Sequence, residues 1–264
     1  MVDTLSDRYA RANRPVVFIE HDLDKLDQGL RRRQTMWFQA RAGGNSAQTP
    51  LVMVDSGWKW AEGAVGNQFD KVYSGLVDDA LAHPPDVALS AYYRRNGSAV
   101  DITAIVTNWS ETSLAGASLA AILYEDKKIL HTNHSGRASV AAAIGDNLGY
   151  GATGTYQLQL TPPNDVTWSR AHVVVVVDRR KPDGGAGYEA MQGAMAVEGV
   201  PPTATPDPPT ATPVPTVAPT DTPVPPTTPP EEPTATPVPP TAVPTEAPGG
   251  TIYAPAIYRR YIMP

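Results

Sequence analysis

Residues 99–108 read AVDITAIVTN, and within them Val100, Ile102, Ala104 and Val106 alternate with Asp101, Thr103, Ile105 and Thr107. A repeat of two places every second side chain on one face, so this is a strand with one face in a core and the other near water. Arg95-Asn96-Gly97-Ser98, just upstream, carries Asn-Gly at its centre, a hairpin signal that makes Val87–Tyr92 the preceding strand. Downstream, Leu119–Tyr124, Lys128–Thr132, Ser139–Ile144, Thr155–Leu160 and His172–Val177 follow, with turn residues between them. Tyr156, Leu158 and Leu160 against Gln157 and Gln159 repeat the alternation.

Roughly seven short strands at this spacing predict a β-sandwich of immunoglobulin-like type over residues 86–199. Upstream of His83-Pro84-Pro85 the pattern changes. Leu5, Tyr9 and Ala12 stand at helical spacing before Pro15, and Val16-Val17-Phe18-Ile19 is a continuous apolar run, as in a strand buried on both faces of a mostly parallel sheet. Asp27–Arg41 predicts a helix with Leu30, Gln34, Trp37 and Phe38 inward, ended by Gly43-Gly44. Leu51–Val54 reads as a second buried strand and Trp58-Lys59-Trp60 as an edge strand. Phe69–Leu81 closes the segment as a helix whose inner face is Phe69, Val72, Tyr73, Leu76, Val77 and Ala80.

The order helix, strand, helix, strand, strand, helix, with Thr49-Pro50 just before Leu51, resembles the thioredoxin-like fold from its first helix onward. The resemblance covers residues 1–83 and implies that Pro50 matches the cis-proline bordering that family's active site, with Thr49 before it. The family's first strand and its CxxC are missing, so this half is either a non-catalytic scaffold or a piece whose cysteines lie upstream of Met1. AHVVVVVDRR (171–180) followed by YEAMQGAMA (188–196) resembles the closing strands of the sandwich that follows a thioredoxin-like domain in a family of bacterial outer-membrane and secreted proteins.

From Pro201 to Pro248 the chain holds 19 prolines and 13 threonines among 48 residues, with no aromatic residue, glycine, lysine or arginine. Too little apolar area is available there to offset the entropy of ordering, and proline removes backbone donors. Residues 200–250 are therefore read as an extended, disordered Pro/Thr-rich stalk, about 150 Å long if fully stretched at ~3.1 Å per residue. Residues 251–264, TIYAPAIYRRYIMP, form an apolar and aromatic tail. It is similar to the short Y-x-P-x-x-x-R endings of exported proteins of filamentous green non-sulfur bacteria, which implies attachment to a cell-envelope component. The alternative is a strand that pairs back onto the sandwich.

The net charge is −6, and Asp207, Asp221, Glu231, Glu232 and Glu246 of the stalk supply five of those charges. The remainder is near neutral, which argues against nucleic acid as a partner. The chain has no cysteine, hence no thiolate nucleophile and no Cys-based zinc site. No stretch approaches the ~20 apolar residues of a membrane span. MVDTLSDRYARANRP is not a signal peptide, whereas a Thr/Pro stalk suits an extracellular or cell-surface protein, so the export signal is expected upstream of Met1.

Other motifs are weaker. Gly149–Gly154 matches G-x-G-x-x-G but precedes a strand, so no helix N-terminus faces a phosphate and no cofactor is implied. His131 and His134 read as a surface turn, and Arg31-Arg32-Arg33 as a solvated helix face. Asp22, Asp24 and Asp27 do not meet the spacing of a calcium loop, leaving a weak cation site or a solvated loop. Trp58 and Trp60, on one face of a short strand, are either a sugar platform or sheet-to-helix packing. Asn96, Asn108 and Asn133 fit N-x-[ST]. The reading is a non-catalytic exported or cell-surface scaffold, with a thiol-disulfide oxidoreductase fragment and a carbohydrate-binding module as alternatives.

Overall fold

The computed structural model describes residues 2–22, 29–31, 33, 51–62, 68–129, 132–145, 147–181, 188–202 and 256–261. The N-terminal elements are α1 (Val2–Arg11), β1 (Val17–Asp22), β2 (Leu51–Val54), a 3-10 turn at Asp55–Gly57, β3 (Lys59–Glu62) and α2 (Phe69–Leu81). Next come β4 (Val87–Asn96), β5 (Ala99–Asn108), β6 (Ser118–Ile129), β7 (Thr132–Ala143) and β8 (Thr153–Leu160). After a 3-10 turn at Trp168–Arg170 follow β9 (Ala171–Arg180), β10 (Tyr188–Met195), β11 (Val197–Glu198) and β12 (Ala256–Tyr261).

In β5 the alternating set Val100, Ile102, Ala104 and Val106 is fully buried. β4 and β5 pair from Val87↔Asn108 to Asn96↔Ala99, so the two-residue turn is Gly97-Ser98, one position later than the Asn-Gly reading. Gly97 has φ +59°, which a glycine adopts without a steric penalty. β11, β4, β5 and β8 form one sheet in that order, and its inner face packs on Leu119, Ala121 and Leu123 of β6 and Val173, Val175 and Val177 of β9. Lys128–Thr132 is not a separate strand. Lys128 belongs to β6 and Thr132 to β7, the two arms of one long antiparallel pair.

The second sheet has eight strands in the order β10-β9-β6-β7-β1-β12-β2-β3. The expected division at residues 84–85 does not interrupt it, because β1 lies beside β7 with Glu20 opposite Ser135. The described residues up to Pro201 and those of β12 belong to one compact unit. β1 is parallel to both its neighbours, as its unbroken apolar run suggested, and Val17, Phe18, Ile19 and Glu20 are all buried. Its two faces serve different cores. Val17 and Ile19 join Leu30, Leu51, Met53, Ile122, Tyr124, Val174 and Val176, while Phe18 joins Val52 and Val54 under the helices.

α1 contributes Leu5 and Tyr9 to that second cluster, and α2 contributes Tyr73, Val77 and Ala80. Ala12 falls beyond the end of α1 and is exposed, contrary to the helical-spacing reading. The helices are tied by Tyr9 Oη, which donates to Asp78 Oδ1 at 2.8 Å, and by Arg8 to Asp70 at 2.9 Å. The terminal segment runs as β12 between β1 and β2, parallel to the first and antiparallel to the second. This is a docked strand, inserted among the N-terminal strands of the sheet and not paired with any of β4–β11. No helix among the described residues is long and apolar enough to cross a membrane. Thr49, Pro50, Asp24, Asp27, His131, the inward set Gln34, Trp37 and Phe38, and the stalk from residue 203 to 250 lie outside the described residues.

One sequon is part of the framework. Asn108, fully buried, donates through Nδ2 to the carbonyls of Thr112 (2.8 Å) and Leu148 (2.9 Å), and its Oδ1 accepts from the backbone and hydroxyl of Ser110, both at 2.9 Å. Four bonds at about 1 kcal/mol net each make Asn108→Ala cost about 2–4 kcal/mol. Urea denaturation tests this, and a change below about 0.5 kcal/mol would contradict the assignment.

Candidate functional site

β2 runs directly into Asp55, Ser56 and Gly57, whose φ angles are +52°, +55° and +99°. Left-handed backbone costs about 1–2 kcal/mol at each residue bearing a Cβ, so tertiary contacts must hold this turn. They come from β9. Ser56 Oγ donates to Asp178 Oδ1, and Arg33 donates from Nη1 to Asp178 Oδ2 at 2.9 Å and from Nη2 to Ser56 Oγ at 3.3 Å. Arg33 and Asp178 are 2% and 0% exposed. The Arg31–Arg33 face is thus corrected: Arg31 is exposed, but Arg33 is buried because Asp178, at the end of five consecutive valines, needs a cation to leave water.

Asp55 sits beside this pair. It is buried, and its Oδ1 has no hydrogen-bond partner among the described residues. Burial first, then the charges of Asp178 and Glu189, push its carboxyl up to about 8. A carboxyl raised in this way beside a second carboxylate is the electrostatic pattern of general acid–base sites. Here both groups face protein, with Asp55 8% and Asp178 0% exposed, so the arrangement fastens the end of β2 to β9 and leaves little room for a substrate. Around it, Arg179 pairs with Glu189 at 2.6 Å and Asp86 at 2.9 Å, and Lys181 Nζ donates to the Trp58 carbonyl at 3.0 Å.

A second cluster lies on β6, β7 and β9. Asp126 pairs with His134 Nδ1 and His172 Nε2, both at 2.8 Å, and the His172 ring stacks on Tyr124 with centroids 5.0 Å apart. Burial alone raises the Asp126 carboxyl, but the hydrogen bonds from His134 and His172 outweigh it and hold the group below its ordinary range. The same bond to Asp126 raises His134 against the opposing effect of its burial. His134 is therefore in a strand and ion-paired, not in a surface turn. Glu20 accepts from the backbone amides of Asn133 and His134, so its carboxylate faces β7. Among the described residues no group of three or more His, Asp or Glu side chains is placed to hold a metal ion.

No family model matches the chain, and no curated protein matches it. Among solved structures, a domain of the outer membrane lipoprotein Omp28 from Porphyromonas gingivalis is similar at 14% identity and a TM-score of 0.28, over 44% of this chain and 90% of that one. β-Glucosidase 3B from Thermotoga neapolitana, in complex with glucose, is similar at 12% identity and a TM-score of 0.27, over 42% of this chain and 15% of that one.

Of the residues singled out from sequence, Trp58 and Trp60 do not form one platform. Trp58 lies in the turn before β3 with helical backbone, packs with the α1 and α2 cluster, and meets the His83 ring edge-on at 4.5 Å. Ala61 also joins that cluster, so the alternation of β3 sends Trp60, 42% exposed, to the other face. Gly149–Gly154 leads into β8, where Gly154 is opposite Val106, in keeping with a loop before a strand. The grouping of Arg33, Ser56 and Asp178 beside Asp55 is not visible in the sequence, because Asp178 is more than a hundred residues from both its partners. The one available signal was an aspartate closing a run of five valines, a charge that must be paired if the run is buried.

Two pH effects follow. For Asp55 the folded-state value lies above its ordinary 3.8, so its contribution to stability is intact below that pH and is lost as pH rises toward about 8. Asp55→Asn stays neutral and tolerates left-handed backbone, so it raises the Tm at pH 8 and leaves it nearly unchanged at pH 4. A Tm difference independent of pH contradicts this assignment. For His134, raised above 6.5, stability is present below that value and lost above it, so His134→Gln lowers the Tm at pH 6 and the deficit narrows by pH 9. A deficit that widens with pH is the opposing result.

Proposed function

We propose that the protein is a non-catalytic, exported or cell-surface modular scaffold, in which a thioredoxin-like N-terminal half and an immunoglobulin-like sandwich are carried on a Pro/Thr stalk. The observation that carries this reading is the use made of charge where the two halves meet. Arg33, Ser56 and Asp178 bind one another there, and seven residues along β6 from Ser118, the partner of Asp178, Glu125 is likewise held by Arg137 and the Thr167 amide, so these buried polar groups serve as fasteners between elements. A chain without cysteine also lacks the thiolate that redox chemistry on such a fold requires.

The thioredoxin-like part of the reading is supported by α1 and α2 on one face of β1, β2 and β3, and by a strand parallel to β1 and antiparallel to β2 between them. The sandwich part is supported by the two sheets that enclose the core around Ile102 and Val175. An oxidoreductase fragment is the second reading, supported by β2 beginning at Leu51, directly after Pro50. The extracellular or surface location rests on the composition of residues 200–250.

Labelling intact cells of the source organism with a membrane-impermeant amine reagent tests the location. The proposal expects the protein to be labelled before lysis, and its recovery unlabelled with cytosolic proteins overturns it. The purified chain is expected to reduce or oxidise a dithiol substrate no faster than buffer does, and a rate that depends on the protein would favour the second reading.

A further inference from the structure

We propose that the slot between β1 and β2 is a strand-accepting site, and that its partner is the segment 256–261 of a second copy of this chain. β1 and β2 form no ladder with each other. β12 supplies the inner edge of both, with six successive Cα partners on β1, from Val17↔Ala256 to Asp22↔Tyr261, and four on β2, from Ile257↔Val54 to Arg260↔Leu51. Without it, two strand edges face each other across a gap, each with unpaired amides and carbonyls that template pairing with an extended peptide.

The walls of the slot are already built. Val17, Ile19, Leu51 and Met53 face one apolar cluster and Phe18, Val52 and Val54 the other, so an entering strand is received by edges that packing holds in place. The donor belongs to a part of the sequence far from both strands that receive it. Between β11, ending at Glu198, and β12, beginning at Ala256, runs the segment with 19 prolines from 201 to 248, which has no aromatic residue of its own. Covalent linkage sets a donor's effective concentration at its site, which is about millimolar for short tethers and falls steeply with the number of linking residues. Copies held close together therefore compete with the tether for the same slot.

Backbone pairing makes the competition even-handed. The ladder uses main-chain groups in a fixed register, and every copy carries the same donor and the same acceptor. Reciprocal exchange closes a dimer, and one-way donation builds an open head-to-tail chain. A stretched length of about 150 Å is several times the diameter of a folded unit of this size, so neither arrangement is limited by reach.

The test uses the full chain and its lack of native cysteine, which makes any disulfide report the introduced pair. Chains carrying Val54→Cys and chains carrying Ile257→Cys, with different tags, are mixed over a range of concentrations and oxidised with glutathione disulfide. The proposal expects a doubly tagged, disulfide-linked product whose yield rises several-fold over a tenfold increase in concentration. Val54 is fully buried, so chance collisions do not give it. No such product at any concentration, together with closure inside one chain in the Val54→Cys, Ile257→Cys double variant, overturns the proposal. Should these substitutions prevent folding, Met53→Cys with Tyr258→Cys probes the adjacent pair. Sedimentation of the unsubstituted chain must also show dimers or larger species on concentration, and a monomer throughout contradicts the proposal.

Discussion

Two buried strands that never touch each other, joined by a third from the far end of the chain, set the logic of this fold. β1 carries Val17, Phe18, Ile19 and Glu20 into two cores at once, and β2 does the same with Leu51, Val52, Met53 and Val54. Burial on both faces removes every route to water for their backbone polar groups, so the edges they turn toward each other must be satisfied by protein. β12 does this, and the rest of the N-terminal half is arranged around it: α1 and α2 over one face, Leu30 on the other, β3 protecting the outer edge.

The junction between the halves rests on a different kind of contact. β9 is lined by valines on both faces until Asp178, and the charge there is matched by Arg33 and by Ser56 from the left-handed turn after β2. A buried ion pair contributes little net stability against an apolar substitute, yet it penalises any packing in which one partner is missing. It thus specifies which end of β2 meets which end of β9. His21, pushed down to about 3 by burial and by the nearby Arg33 charge, stays neutral in the same interior and lies close to Gly136, where an added Cβ would come within 3.0 Å of the His21 Nδ1 atom. That contact helps explain the glycine where β7 passes β1.

How far the fold was legible depended on whether the decisive contact was local. The alternation in β5, the apolar run of β1 and the inner face of α2 each depend on residues a few positions apart, and each is found where the pattern put it. The left-handed turn at Asp55–Gly57 lies between two stretches legible as strands, but its strain depends on β9, more than a hundred residues away. The single sheet spanning both halves was hidden for the same reason: residues 84–85 look like a boundary by composition, while Glu20 meets Ser135 across it. A six-residue segment such as AIYRRY carries β propensity but no register, so its choice of β1 and β2 over the sandwich was not encoded locally.

The buried charges of this fold are committed to architecture, and its terminal strand returns to the sheet it completes. Hydrogen exchange of the full chain, followed peptide by peptide, addresses that claim most directly. The account predicts that amides of residues 257–260 exchange as slowly as those of Leu51–Val54 and are lost together with them on mild destabilisation. Rapid exchange at 256–261 while β1 and β2 stay protected would show that the sheet closes without its terminal strand and would contradict the account.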